Sequence, residues 1–199
     1  ILKGLDYWYD VKHGDPSKAN GGIAILPTDT VYGFSGIVDT TTATTHYTTD
    51  AKIRSIKGRA ETKPLIQLIA KPEDINLYTD DGIPPALLAK WPGPLTIIVH
   101  VKETAPLAPQ AKLPTIAFRC PGDPWLRKVI SLCSAPIFST SVNRSGQPVL
   151  DTAAEITKEF GNEVDLFIND GDKKGALAST LVAIEDGTIK VLRQGSVEV

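Results

Sequence analysis

Gly21-Gly22-Ile23-Ala24-Ile25-Leu26-Pro27, continuing into Thr28-Asp29-Thr30-Val31-Tyr32-Gly33, is the stretch on which the fold turns. A short apolar run entered from a glycine turn and closed by proline reads as a buried strand, and Pro27 then opens a loop over residues 28–33. Downstream, residues 65–70, 95–101, 115–120, 135–140 and 164–168 repeat the strand-like pattern. Between them, residues 84–91 and 124–133 carry helical patterns, each with proline at its start. Thr152 and Glu155 have capping-box spacing, with Ile156 and Phe160 forming one apolar face behind them. Residues 180–185 and 188–193 flank Asp186-Gly187, a two-residue hairpin turn. Seven of the ten residues at 40–49 are threonine, a poor helix former, and this run receives no assignment. Strands interspersed with helices, plus a hairpin, predict an α/β fold: a twisted, open, mixed sheet with helices packed on it.

The chain has 199 residues, 42% hydrophobic and 22% charged, which predicts one globular domain over residues 1–199 with ample apolar material for a core. A net charge of -2 gives no global basic field, so any nucleic-acid contact needs a local patch. Cys120 and Cys133 are too few for a disulfide framework and point to a reducing cytoplasm. No window has the apolar length of a membrane span, and no signal peptide is read at the start. Methionine is absent throughout.

No Walker loop or dinucleotide fingerprint occurs, and His13, His46 and His100 lack metal-ligand spacing. Lys52, Arg54, Lys57, Arg59 and Lys63 do concentrate within twelve residues, opposed only by Glu61. Lysine offers a point charge and arginine a planar fork for phosphate oxygens, and Gly58 between two cations lets backbone approach a ligand. Set ahead of a buried strand, such a run can aim several charges at one polyanion; the competing reading is a solvated charged face. Phe138-Ser139-Thr140-Ser141-Val142-Asn143-Arg144-Ser145-Gly146 runs from strand into hydroxyls, an amide and a glycine turn, suited to ribose or phosphate oxygens or simply to a turn. Arg119 ends an apolar strand, where it serves either a carboxylate ligand or a structural salt bridge.

Taken together, these segments resemble the YrdC-like threonylcarbamoyl-adenylate synthase family in its short, single-domain form. The matching blocks are residues 27–33, Lys57-Gly58-Arg59, Lys63-Pro64-Leu65, Trp91-Pro92-Gly93-Pro94-Leu95-Thr96, Phe118-Arg119-Cys120-Pro121 and residues 139–146. Ser179-Thr180-Leu181-Val182 and Leu192-Arg193-Gln194-Gly195 match the end, so the resemblance spans residues 21–195. It implies an open sheet with a large basic concave surface and an ATP-dependent reaction. There, L-threonine, bicarbonate and ATP give threonylcarbamoyl-adenylate and pyrophosphate, for threonylcarbamoyladenosine modification of tRNA by a downstream transfer machinery. Mg²⁺ is expected on the phosphates, held mostly by ATP and water.

By the same resemblance Lys57 and Arg59 are the catalytic pair. Arg59, Lys63, Ser141, Asn143 and Arg193 face the nucleotide, Lys57 lies near its phosphates, and Thr115 touches it. Thr30, Arg119 and Ser179 or Thr180 hold threonine and its carbamate. Leu68 stands where several relatives carry histidine, Val142 where alanine is common, and the threonine-rich run where the family has a helix before Lys-x-Arg. Two alternatives remain: a tRNA or double-stranded RNA-binding module, and a paralogue of the same fold without synthase activity, such as one with a related carbamoyl-adenylation.

Overall fold

The computed structural model describes residues 21–40, 48–107, 113–185 and 187–199. Strands β1 (Ala24–Leu26), β2 (Gly33–Ser35), β3 (Ile66–Leu68), β4 (Leu95–His100), β5 (Thr115–Arg119), β6 (Ile137–Ser141), β7 (Leu166–Phe167), β8 (Thr180–Glu185) and β9 (Thr188–Arg193) form one mixed sheet. Their order across it is β7-β1-β2-β6-β3-β5-β4-β8-β9. Helices α1 (Thr49–Lys57), α2 (Pro85–Leu88), α3 (Pro124–Cys133) and α4 (Ala153–Phe160) pack on the sheet, with a 3-10 helix at Pro72–Leu77.

Residues paired directly across neighbouring strands share a face, so the register sorts the side chains into two layers. Ile25 pairs with Phe34, Gln67 with both Phe138 and Phe118, and Ile97 with both Phe118 and Val182. This face builds the main core, joined by Ile53 of α1, Leu87 of α2, and Ile156 and Phe160 of α4. The opposite face carries Ala24, Leu26, Leu68 and Ile137, covered by Leu126, Val129, Ile130 and Cys133 of α3. Leu68 pairs with Arg119, Ile66 with Ser139 and Ala117, and Gly33 with Ser141. The second face therefore continues beyond α3 as a row of small and polar residues, Ser139, Ser141, Thr115 and Ala117, with Arg119 at one end. Gly33 keeps this floor low: a Cβ there would lie 2.6 Å from the Ser139 hydroxyl.

Several elements depart from the sequence reading, among them the helix expected over residues 84–91, which is confined to Pro85–Leu88. The loop expected over residues 28–33 yields its last residue to β2. The helix that the threonine-rich run was expected to replace is present as α1, beginning at Thr49; residues 41–47 of that run, with His46, lie outside the described residues, as do His13 and Asp186. Thr49 donates its hydroxyl to the Ile37 carbonyl at 2.6 Å, which anchors the helix start on the sheet. Asp50 in the first turn pairs with Arg54 at 2.8 Å, and Gly58 ends the helix in the left-handed conformation, φ 62°. Asp123 caps α3 by accepting from the Trp125 and Leu126 amides. Thr152 caps α4, accepting from the Glu155 amide at 3.3 Å, while the Glu155 carboxylate accepts from the Thr152 hydroxyl rather than from its amide. No helix among the described residues is long and apolar enough to cross a membrane.

Candidate active site

Two polar clusters gather at strand ends, one just after β6 and one at the end of β5. The first forms where α1 ends against β6. Lys57, 2% exposed, donates its ammonium to the Ser141 carbonyl, to the Asn143 carbonyl at 2.9 Å and to Asn143 Oδ1 at 2.8 Å. Asn143 Oδ1 also accepts from the Ser141 hydroxyl at 2.8 Å, and its Nδ2 donates to the carbonyls of Arg144 and Gln147 at 3.0 and 2.7 Å. An ammonium has three donors, and an amide has two donors and two lone pairs. Lys57 and Asn143 are thus saturated by the protein itself. Burial, then the charge of Arg59, lowers the Lys57 pKa to about 8.

The five sequence-predicted cations part company here. Lys52 donates to the Gly21 carbonyl at 3.0 Å, away from Asn143. Arg54 holds the turn after α1 through the Ala60 and Lys63 carbonyls at 2.7 and 2.9 Å. The run therefore does not aim as a whole at one polyanion: Lys52 and Arg54 are scaffold. Arg59 differs, donating one Nη2 bond to the Pro64 carbonyl at 2.8 Å while its buried Nε has no acceptor. Burial and the nearby Arg54 charge lower its pKa. Lys63 is exposed beside it. Thr115 lines an open pocket with Pro64, Leu65 and Glu61 among its walls.

The second cluster gathers around Arg119, 4% exposed. Its Nη1 donates to the Thr30 hydroxyl at 2.9 Å, its Nε to the Gly93 carbonyl at 3.3 Å, and its Nη2 to Asp29. Thr28 fixes the loop by accepting from the Thr30 amide at 3.0 Å and donating to the Val31 carbonyl at 2.8 Å. Asp29 was the residue that sequence reasoning missed; its only signal was its place within the matched loop. Arg193, at the end of β9, donates to the Ser179 carbonyl at 2.9 and 3.0 Å and to its hydroxyl at 3.2 Å, and that hydroxyl also bonds Thr96 at 2.7 Å. The Arg193 charge reaches Arg119 and lowers its pKa, though burial is the larger cause. Of the pair Ser179 and Thr180, Ser179 faces Arg193. Thr180 turns to the C-terminal segment, donating to Val197 at 2.6 Å and accepting from the Gly195 amide at 2.9 Å.

Chemically, the saturated groups fix positions and the unsaturated ones are left for a ligand. Of the five N–H donors on each guanidinium, Arg119 gives three to protein acceptors and Arg59 gives one. Planar donors of this kind match carboxylates and phosphates. Among the described residues no group of His, Cys, Asp and Glu is arranged to hold a metal ion, and Asp29 is already committed to Arg119 and to the Gly122 amide at 2.9 Å.

The Sua5/YciO/YrdC family, described as "Telomere recombination", matches residues 18–195. The threonylcarbamoyl-AMP synthase of Pyrococcus abyssi is 30% identical over 178 residues, covering 88% of this chain and 51% of the relative. That of Vibrio cholerae serotype O1 is 28% identical over 180 residues, covering 88% of this chain and 92% of the relative. The crystal structure of P. abyssi Sua5 complexed with L-threonine superposes with a TM-score of 0.75 at 27% identity, over 97% of this chain and 53% of that one. The chain thus spans about half the length of the P. abyssi relative and most of the V. cholerae one.

Proposed function

The chain belongs to the Sua5/YciO/YrdC family, and we propose that it joins L-threonine, bicarbonate and ATP into L-threonylcarbamoyladenylate with release of pyrophosphate. The product is the activated donor for threonylcarbamoyladenosine modification of tRNA, passed to a separate transfer machinery. The observation that carries this reading is a buried carboxylate-type fork, Arg119, that keeps spare donors with the Arg193 charge close by.

In this reading threonine's amine and bicarbonate first give a carbamate, with loss of water. A carbamate oxygen then attacks the α-phosphorus of ATP, the bond from that phosphorus to the bridging oxygen breaks, and pyrophosphate leaves with the electron pair. Negative charge grows on the α-phosphoryl and departing oxygens, so the reaction needs positioning and fixed positive charge more than a histidine base. Arg59, Lys63 and Arg193 supply open donors to the nucleotide, with Thr115 at its edge. Lys57 contributes a nearby charge while its ammonium holds Ser141 and Asn143 in place. Arg119, steadied by Thr30 and backed by Ser179, receives the carboxylates of threonine and its carbamate. A Mg²⁺ ion finds no protein cage among the described residues, and ATP and water are its natural ligands. Cys120 and Cys133 are buried thiols, which suits a reducing cytoplasm.

The test is pyrophosphate release with each substrate withheld in turn. Release should require ATP, threonine and bicarbonate together; equal release without threonine refutes the substrate assignment. Tight binding of labelled tRNA with no ATP turnover would place the chain with RNA-binding modules instead.

A further inference from the structure

We propose that Arg144 is a positioning residue: its guanidinium ties the loop carrying Asn143 to α4 and to the last turn of α1, and so sets the Lys57–Ser141–Asn143 cluster. Only the catalytic consequence of this inference rests on the function proposed above.

Arg144 reaches α4, the turn that follows it and the last turn of α1 at once. Its Nη2 and Nη1 bond the two carboxylate oxygens of Glu163 at 2.5 and 3.1 Å, a two-pronged pair, and its Nε bonds Glu159 at 2.9 Å. These bonds raise its pKa and hold the Glu163 carboxyl below the usual range. Its Nη1 also donates to the Ile56 carbonyl at 2.5 Å. The guanidinium lies over the Phe160 ring, 4.5 Å from its centroid. Phe160 meets Phe34 edge-on at 4.9 Å, and the Lys57 ammonium sits 5.4 Å from the Phe34 centroid.

The last carbonyls of a helix lack partners within it, and α1 divides the work of satisfying them. The amides of Arg59 and Gly58 take the carbonyls of Arg54 and Ser55 at 2.9 and 3.2 Å. The remaining two are capped from the Asn143 loop: Arg144 takes Ile56, and the Ser145 amide takes Lys57 at 2.7 Å. The residue that delivers the buried ammonium is thereby fastened to the loop that receives it. The Arg144 carbonyl also accepts from Asn143 Nδ2, so its backbone and side chain act on the same cluster.

Position, rather than stability, is the main consequence. The Arg144, Glu159 and Glu163 side chains are 38%, 47% and 40% exposed, and solvent-exposed ion pairs contribute little to global stability. A merely structural clamp would show in the melting temperature; a positioning clamp shows at Lys57 and Asn143.

The experiment compares wild type with Arg144→Gln, Arg144→Lys and Glu163→Gln by side-chain NMR. It follows the titration of Lys57 and the exchange of the Asn143 amide protons, with ATP kinetics alongside. In Arg144→Gln we expect the Lys57 titration to leave its wild-type value near 8 and move toward that of an ordinary lysine. Asn143 exchange should accelerate about tenfold, the change expected for a local opening easier by one RT ln 10. The KM for ATP should rise more than kcat falls. Arg144→Lys, which keeps charge but cannot fork, should rescue only part, and Glu163→Gln should move the same readouts less. Unchanged Lys57 titration and Asn143 exchange in Arg144→Gln overturn the inference. Should that variant not fold, the combined Glu159→Gln and Glu163→Gln variant is decided by the same two readouts. A wild-type chain that neither binds nor turns over ATP refutes the proposed function while leaving the NMR comparison to decide the clamp.

Discussion

Substituting Asp29 by Asn should destabilise the chain strongly for a single loop residue. The change preserves size and one hydrogen-bond acceptor but removes the anion facing Arg119, whose side chain is 4% exposed against 19% for Asp29. Its remaining contacts are the neutral Thr30 hydroxyl and Gly93 carbonyl, and the Arg193 charge stands close enough to disfavour it further. Removing one partner of a buried ion pair costs about 3–5 kcal/mol. Because Asp29 is partly wetted and Asn retains an acceptor, the cost falls at or just below the bottom of that range, about 2–3 kcal/mol. For a domain of this size each kcal/mol moves Tm by about 2–4 °C, so Asp29→Asn should melt about 4–12 °C below wild type. Calorimetry or circular dichroism at neutral pH reads this directly. Arg119→Met added to Asp29→Asn should recover part of the loss, since no unpaired charge then remains. A single variant melting within about 1 °C of wild type, or a double variant showing the sum of two independent losses, would refute the pairing as a major determinant.

Three further outcomes follow from separate contacts. The Lys57 pKa falls from 10.5 in the unfolded chain to about 8 when folded. Its buried charge therefore opposes folding fully below pH 8, and that opposition fades between pH 8 and 10.5. Wild type should gain stability from this group across that window and lose affinity for ATP across it. Identical pH dependence of denaturant unfolding in Lys57→Met would contradict this. Gly195→Ala would bring a Cβ within 2.2 Å of the Ala178 carbonyl and 2.5 Å of the Thr180 amide, both rigid backbone. The expected cost is about 1–3 kcal/mol, with disturbance of the adjacent Arg193–Ser179 contact visible as weakened ATP binding; an unaltered urea midpoint argues against so close an approach. Thr152→Ala removes the cap of α4 and should lower stability by about 1 kcal/mol with ATP affinity retained, measured by urea unfolding and calorimetric titration.

The sheet was legible where side chains announce their period. Residues 180–185 and 188–193 became β8 and β9 without adjustment, and residues 124–133 became α3 because Asp123, Pro124 and the apolar positions Leu126, Val129, Ile130 and Cys133 all favour one helix. The strand β2 escaped notice because its three residues begin with a glycine, which has no side chain to mark a face. The helix α1 escaped for a different reason. Thr49-Asp50-Ala51-Lys52-Ile53-Arg54-Ser55-Ile56-Lys57 has few apolar residues, and its stability comes from groups distant in sequence: the Ile37 carbonyl at its start, and Arg144 and Ser145 at its end. Local propensity is a weak prior when a helix is anchored at its start and satisfied at its end by groups from elsewhere.

The same limit governs the site. Motif order was enough to nominate Lys57, Arg59, Asn143, Arg119 and Arg193, but residue type cannot say which donors remain open. Lysine and arginine carry the same charge in a sequence, yet Lys57 spends all three of its donors on Ser141 and Asn143 while Arg59 keeps a buried Nε without an acceptor. That division follows from where α1 ends relative to β6, a matter of register and capping. It also makes chemical sense of the pattern. A charge held rigidly by the protein loses no freedom when a ligand binds, and an arginine with spare donors can then form the bonds that the rigid charge has prepared. Replacing Lys57 should therefore disorder the cluster as well as remove a charge, whereas replacing Arg59 should remove contacts and leave the Lys57–Asn143 geometry intact.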